Sequence, residues 1–262
     1  MKSSETLLVD ISGGVMALTM NRPGANALNF EMIAALQTAF KQAARDLSVR
    51  CVLLTGSGHV FSAGQDLTDV QKAQGESYRA HLLRTYNPLI GQIRELEKPV
   101  VAAINGPVAG AALGIALACD LRVAADTARL VVGFSGIGLA PDSAVSLFLP
   151  LLVGLGRATE YAFTNEPISA EQALRWGLVN QVVLAGELNQ LAWELAERLA
   201  QGPIQAMGLA KRAFNKAVLG NLAQILDYEA HLQDIAGKGA EHQEGVSAFL
   251  EKRTPHYQKA GS

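Results

Sequence analysis

The chain reads as mixed α/β with a helical tail, and three observations carry that reading. Short apolar, strand-like runs alternate with segments of helical spacing through the first half. From about Ser143 onward the pattern is mainly helical. No fixed-period repeat, low-complexity tract or Pro/Ser-rich linker divides the sequence into independent domains. With 262 residues, 49% of them apolar and 18% charged, the chain can bury one substantial core, or one core plus an appended helical piece.

Thr6–Ile11 and Val15–Met20 are predicted strands joined by Ser12-Gly13-Gly14, which is hairpin chemistry. Phe30–Asp46 is a predicted helix with Ile33, Leu36, Phe40 and Leu47 at helical spacing, and Asn29 before it is an N-cap residue type. Cys51–Thr55 returns as a buried strand. A loop then runs from Gly56 through Phe61-Ser62-Ala63-Gly64-Gln65-Asp66 into a long helical region, broken near Pro88, that reaches Glu97. Pro99 marks the next boundary, and Val100–Ile104, Leu121–Ala125 and Arg129–Val132 supply further strands.

A formal charge of −2, with lysine and arginine scattered, provides no broad basic surface, so nucleic acid is not an expected partner. Cys51 and Cys119 lie in apolar runs and read as buried thiols rather than a disulfide framework. The five histidines, His59, His81, His231, His242 and His256, form no ligand spacing; surface or interface roles are expected for them, and no metal. The amino terminus lacks a basic-plus-apolar signal pattern, and no apolar run approaches ~20 residues. The expected setting is cytoplasmic, with no membrane partner.

Two features point to chemistry. The turn Asn105-Gly106-Pro107-Val108-Ala109-Gly110 feeds an almost wholly apolar helical run, Ala111 to Ala118. Its first backbone N–H groups therefore face a site rather than a capping side chain, and suit a developing negative oxygen. Asp142 follows Pro141 and precedes the apolar stretch Ser143–Leu149. One acid beside one oxyanion site describes a catalyst. The plain alternatives are that Asp142 only caps a helix, that Gly64, Gly106 and Gly110 are turn glycines, and that Asp66 and Asp120 tie loops.

Six segments, in order, resemble the crotonase, or enoyl-CoA hydratase/isomerase, superfamily across nearly the whole chain. They are Asn21-Arg22-Pro23 with Asn26-Ala27-Leu28, Phe61 to Leu67, Lys98 to Gly106, Cys119-Asp120-Leu121-Arg122, Ser169 to Ala173 with Trp176-Gly177-Leu178-Val179, and Glu244 to Leu250. The resemblance implies an α/β spiral of ββα units over residues 1–200. A C-terminal helical region, 201–262, would pack subunits into trimers, often paired as hexamers. The substrate would be a coenzyme A thioester, with no separate cofactor. By position, the N–H groups of Gln65 and Ala111 would hold the thioester oxygen, each such donor being worth roughly 2.7–4 kcal/mol. Ala63 would line the adenine and pantetheine channel, Asp66, Gly110 and Phe134 would border the substrate, and Lys252 would reach the nucleotide.

Departures from the family narrow the activity. Typical hydratases use two glutamates to hold water, and the matching positions here are Gly114 and Phe134. Asp142 matches the carboxylate of one group of enoyl-CoA isomerases, of dienoyl-CoA isomerases and of 4-chlorobenzoyl-CoA dehalogenases. The run Phe134 to Asp142, with Tyr86 to Leu89 and Gly64 to Leu67, most resembles the ring-1,2-epoxyphenylacetyl-CoA isomerase group. The dehalogenase chemistry also uses a histidine and a tryptophan; Tyr78, with His81 three residues on, and Phe134 stand near those places. The expected reaction is an isomerisation in aromatic breakdown, with Asp142 moving a proton α or γ to the thioester in a cleft lined by Phe134, Leu139 and Val145. The alternatives are a fatty enoyl-CoA hydratase or isomerase (Δ3,Δ2 or dienoyl) and a non-catalytic acyl-CoA-binding member. Acyl-pocket size is expected to depend on the region around Lys72–Arg84.

Overall fold

Gly13 and Gly14, both at positive φ, close the two-residue turn between β1 (Leu7–Ser12) and β2 (Val15–Met20), whose backbone twist matches that of the flanking strands. The computed structural model describes residues 5–72 and 77–260, so 73–76, within the segment expected to set acyl-pocket size, lie outside the described residues. Helix α1 (Phe30–Arg45) starts where the Asn29 side chain accepts the Met32 N–H at 2.9 Å, and buries Ile33, Leu36 and Phe40. Leu47, assigned to the same stripe, falls beyond the helix end and is 90% exposed. Strand β3 (Cys51–Gly56) then pairs parallel with β2.

The long helical region is three helices among the described residues, α2 (Leu67–Lys72), α3 (Tyr78–Arg84) and α4 (Tyr86–Glu95). Pro88 does not break it. The break falls at Thr85, and Pro88 sits in the first turn of α4, where its missing N–H would have had no intrahelical partner. Strands β4 (Val100–Ile104) and β5 (Val108–Ala109) lead into α5 (Ala111–Ala118), and β6 (Leu121–Ala125) and β7 (Arg129–Val131) follow. Helices α6 (Val145–Val153) and α7 (Leu155–Thr164) come next, then β8 (Ile168–Ser169), α8 (Ala170–Trp176), β9 (Gln181–Val183) and α9 (Leu188–Ala200). The tail is α10 (Ile204–Val218), α11 (Leu222–Ala236), α12 (Ala240–Leu250) and α13 (Tyr257–Ala260). Strands β8 and β9 interrupt the part of the chain read as helical; two and three residues are too few to show an alternating pattern.

Two sheets organise the molecule. The larger has the order β1-β2-β3-β4-β6-β9, parallel except for the first hairpin. The central strands β3 and β4 are covered on both faces, which is why they read as unbroken apolar runs, whereas β1 at the edge is largely exposed. Val52, Leu54, Val100 and Ala102 face the main core, while Cys51, Leu53, Val101 and Ala103 face α9 through Leu188, Ala192, Ala196 and Ala200. Both cysteines are buried free thiols, and burial pushes each up to about 12. The smaller sheet, β5-β7-β8, is extended by single parallel bridges, Ser62 with Val108 and Leu28 with Gln65. Successive turns of the chain thus add a long strand to one sheet, a short one to the other, and then a helix. This is a crotonase-like spiral of ββα units.

The C-terminal helices fold back onto this spiral. Leu226 and Ala230 of α11 belong to the main core, and α12 packs so closely on the turn Ser135–Ile137 that a Cβ on Gly245 would come within 2.7 Å of Ile137 backbone. Leu226 is therefore core of its own chain, whereas Leu209 and Phe214 of α10 are exposed. No helix of the described residues is long and apolar enough to cross a membrane.

One close approach links the spiral to the Asp142 turn. A Cβ built on Gly114, in the middle of α5, would lie 2.3 Å from the Ser143 carbonyl oxygen and 2.7 Å from its Cβ. Backbone on one side and a fully buried residue on the other leave nothing to give way. Gly114→Ala should therefore destabilise the protein by roughly 1–3 kcal/mol despite the better helix propensity of alanine. Denaturant melts check this; a variant as stable as the parent would mean that the two elements are not packed in this way.

Candidate active site

The two expected oxyanion donors arise at equivalent places in consecutive turns of the spiral, where the short strand gives way to a helix. In the bridge with Leu28, Leu28 donates to the Gly64 carbonyl and Asp66 donates to Leu28, so the Gln65 N–H points the other way. On that side the neighbouring strand has already become α5, and Ala111 is its first residue. Neither N–H is taken up by another described residue. The two loops approach so closely that a Cβ on Gly64 would stand 2.6 Å from the Ala109 carbonyl oxygen and 3.7 Å from the Ala111 nitrogen. With φ at +86°, residue 64 must be glycine on both counts.

The Gln65 side chain is held in place by a residue that sequence reasoning assigned to the surface. His81 is buried beneath it, and its Nε2 donates to Gln65 Oε1 at 3.0 Å. Burial, with the nearby Arg84 charge, pushes the His81 ring down to about 4, so it is neutral. Because an amide oxygen only accepts, Nε2 carries the proton.

Asp142 lies opposite these donors in one cavity of about 370 Å³, lined by Ala63, Gln65, Ala111, Phe134 and Leu139 among others. Gly110 and Asp66 also line it, but Val145 faces the core and does not. Asp142 is 6% exposed and has no cationic partner among the described residues; Ser143 Oγ donates to its Oδ1 at 2.7 Å and Gln233 Nε2 to its Oδ2 at 2.6 Å. Desolvation outweighs both hydrogen bonds and raises the carboxyl to about 6. Asp142 does not cap α6. That role falls to Glu229 of α11, which accepts from the N–H groups of Ala144 and Ser146 and from Ser146 Oγ. Burial first, then the neighbouring Asp142 charge, hold Glu229 up near 7 against the opposing effect of those bonds.

Asp66 is tied as a structural carboxylate: Arg22 pairs with it at 2.6 Å, and Thr68 donates both its N–H and its hydroxyl. Burial pushes it up, but those bonds together outweigh burial and leave it below the usual range. Asp120 likewise anchors Arg94, Lys211 and the Val100 N–H. Lys252 is exposed beyond the end of α12, at a φ of 55°, and does not line the cavity of its own chain, although Phe249 and Leu250 do.

Tyr78 lines the same cavity, and its hydroxyl is 2.6 Å from Nε2 of the buried His242. His242 Nδ1 is 2.7 Å from the Ile137 carbonyl oxygen, which only accepts, so Nδ1 carries a proton and donates it there. Burial, and then Asp142, push the phenol up to about 12. His242 and His81 are thus buried partners of site residues, a correction to the surface or interface roles expected for them. No histidine lines the cavity among the described residues.

The positions that carry paired glutamates in typical hydratases are both occupied by structure. Residue 114 is filled by the Asp142–Ser143 turn, and Phe134 presents a ring to the cavity. A larger groove of about 900 Å³ runs between α4, α10 and α11; of its cations Arg94, Lys211, Arg212 and Lys216, the first two are committed to Asp120 and Arg212 pairs with Glu97. The smaller cavity alone brings two free N–H donors and a raised carboxylate together, an arrangement that suits proton abstraction next to a thioester.

Comparison with known proteins identifies the family. The family model described as enoyl-CoA hydratase/isomerase matches residues 10–260. The 1,2-epoxyphenylacetyl-CoA isomerase of Escherichia coli (strain K12) is 42% identical over 257 residues, covering 97% of this chain and 98% of that protein. The 4-chlorobenzoyl coenzyme A dehalogenase-2 of an Arthrobacter species is 34% identical, covering 92% and 88%. Among solved structures, an enoyl-CoA hydratase from Mycobacterium avium subsp. paratuberculosis K-10 superposes with a TM-score of 0.88 at 35% identity, covering 97% of this chain and 99% of that one. On fold and on sequence, the chain belongs to the enoyl-CoA hydratase/isomerase family.

Proposed function

We propose that this enzyme isomerises an acyl-CoA thioester by proton transfer through Asp142, with the enolate oxygen held by the N–H groups of Gln65 and Ala111. One observation carries the reading: Asp142 is the carboxylate of the cavity left without a cation, buried and raised to about 6, while Asp66 is tied to Arg22. Asp142 takes a proton from the carbon α or γ to the thioester, and the electrons of that C–H bond move to the thioester oxygen. The proton returns at another carbon, the charge leaves the oxygen, and the double bond has moved with no net redox change. Similarity to the Escherichia coli relative supports a ring-bearing acyl group of the phenylacetate type over a fatty enoyl chain (Δ3,Δ2 or dienoyl). Attack by Asp142 on an aromatic ring, as in the dehalogenase alternative, is disfavoured because no histidine lines the cavity among the described residues to serve a hydrolytic step.

The reading extends to assembly. Leu209, Phe214 and Val218 on α10 are 42%, 68% and 49% exposed, more apolar surface than one helix face leaves open without a partner. A homotrimer or hexamer, with Lys252 of one subunit serving the nucleotide of another, fits those faces. Light scattering at micromolar concentration should report one of those sizes; a monomer would remove the ground for contacts to coenzyme A across subunits.

Asp142→Asn preserves size and both hydrogen bonds, since its oxygen can accept from Gln233 and its NH2 can donate to Ser143. Isomerisation of a β,γ-unsaturated CoA ester should fall by roughly 10²–10⁴, with ester binding nearly unchanged. For the parent, kcat/KM should decline as pH falls through about 6, where Asp142 takes up a proton. The sign for stability is opposite. A carboxyl whose folded value is raised favours folding below its unfolded value and loses that contribution as pH rises through about 6. At pH 7 the asparagine variant should therefore be more stable than the parent, by roughly 1–3 kcal/mol. Parent-like turnover in the variant would refute the shuttle.

With Gly114 and Phe134 in the positions of the paired glutamates, a short trans-2-enoyl-CoA should be hydrated poorly. A β,γ-unsaturated ester in deuterated water should instead undergo double-bond migration with label exchange. Rapid hydration without migration or exchange, followed by mass spectrometry, would show that another acid activates water.

A further inference from the structure

Helix α11 sends two buried side chains, one turn apart, to the turn that carries Asp142. Glu229 holds the N–H groups of Ala144 and Ser146, and Gln233 donates to Asp142 Oδ2. That turn needs holding: Ser143 and Ala144 stand at φ values of 55° and 62°, two consecutive non-glycine residues in left-handed conformation. Gln233 is fully buried and does not line the cavity, so it meets Asp142 from behind. Its Oε1 has no hydrogen-bond partner among the described residues. A residue serving packing alone would be leucine or methionine, which fill such a space without a costly unpaired acceptor. The amide is present for its donor.

We propose that Gln233 is the positioning residue of the base: by fixing Oδ2 away from the cavity, it makes Oδ1 the oxygen that takes and returns the substrate's proton. The partner of Oδ1 is the Ser143 hydroxyl, which turns about its C–O bond and can free a lone pair. The Gln233 amide has no such freedom while Asp142 is ionised, because rotating it would set Oε1 against a negative oxygen. In the forward step the substrate C–H bond breaks, the O–H bond forms at Oδ1, and the electron pair moves to the thioester oxygen; the return step reverses each change at the second carbon. This inference rests on the reading of Asp142 as the base. It places within the C-terminal helical region a residue on which the working orientation of that base depends.

Asp142 is faced by Glu229 from α11, Tyr78 from α3 and Tyr86 from α4, and none of these is cationic. Losing the Gln233 donor therefore has one direction, towards a carboxyl that ionises less readily. Gln233→Met keeps the volume without the hydrogen bond. Gln233→Glu keeps the shape but, once ionised, adds a like charge. Carbon-13 NMR of the labelled Asp142 carboxyl should show its midpoint rising by about one pH unit in the methionine variant; in the glutamate variant the two carboxyls should titrate as a pair in two steps, the upper one above the parent midpoint. The acid limb of kcat/KM should move with it, with acyl-CoA affinity changed less than about threefold and kcat reduced about tenfold or more. An unmoved midpoint in whichever variant folds overturns the proposal, as does a loss of kcat with the pH profile in place, which is what simple loosening of the core would produce. If the parent isomerises nothing, the reading of Asp142 as the base fails, while the NMR midpoint still decides whether Gln233 holds the carboxylate.

Discussion

Keeping one carboxylate ionisable in an apolar cavity without a cation beside it is the constraint on which the rest of this site depends. A basic partner would hold Asp142 well below the usual carboxylate range and leave it a poor base. Two hydrogen bonds from uncharged donors keep it in place while desolvation keeps its affinity for a proton near the working range. Each support is remote or strained: a glycine on α5 to admit the turn, a pair of left-handed residues, and a helix more than 80 residues further along the chain. Stability is given up at this point for reactivity, which is where local rules of sequence and structure are expected to fail.

The two unpartnered N–H groups of the cavity need no comparable effort, because the topology produces them. At two consecutive turns of the spiral a short strand gives way to a helix, and the N–H facing the next turn has no partner among the described residues. Two consecutive junctions, at Gln65 and Ala111, meet over Gly64. The donors are backbone groups, so their side chains are free for other work; the Gln65 amide is tied to His81 and so steadies its own loop.

The C-terminal helices are part of the site rather than an appendage. Glu229 and Gln233 hold the turn that carries Asp142, the Tyr78 hydroxyl bonds to His242, and Phe249 with Leu250 line the cavity. Such contacts make the last third of the chain necessary to the geometry of the first two thirds. Any assembly built on the exposed faces of α10 would then act on elements already coupled to Asp142.

Local pattern determined much of this. The hairpin, α1 with its Asn29 cap, β3 and the limits of α5 follow from turn chemistry and apolar spacing, each an interaction between residues close in sequence. Asp142 and the two donors were legible because the residue order matches a known family. The tertiary structure alone decided the partners: that Glu229 rather than Asp142 caps α6, that Gln233 stands behind the base, that His81 and His242 are buried, that position 114 has no room for a side chain, and that Lys252 lies off the cavity of its own chain. Those pairings join residues 16 to 164 positions apart. Periodicity reports which face of a helix or strand is apolar, but which buried polar atom meets which other is set by how the elements pack, and that information is not local.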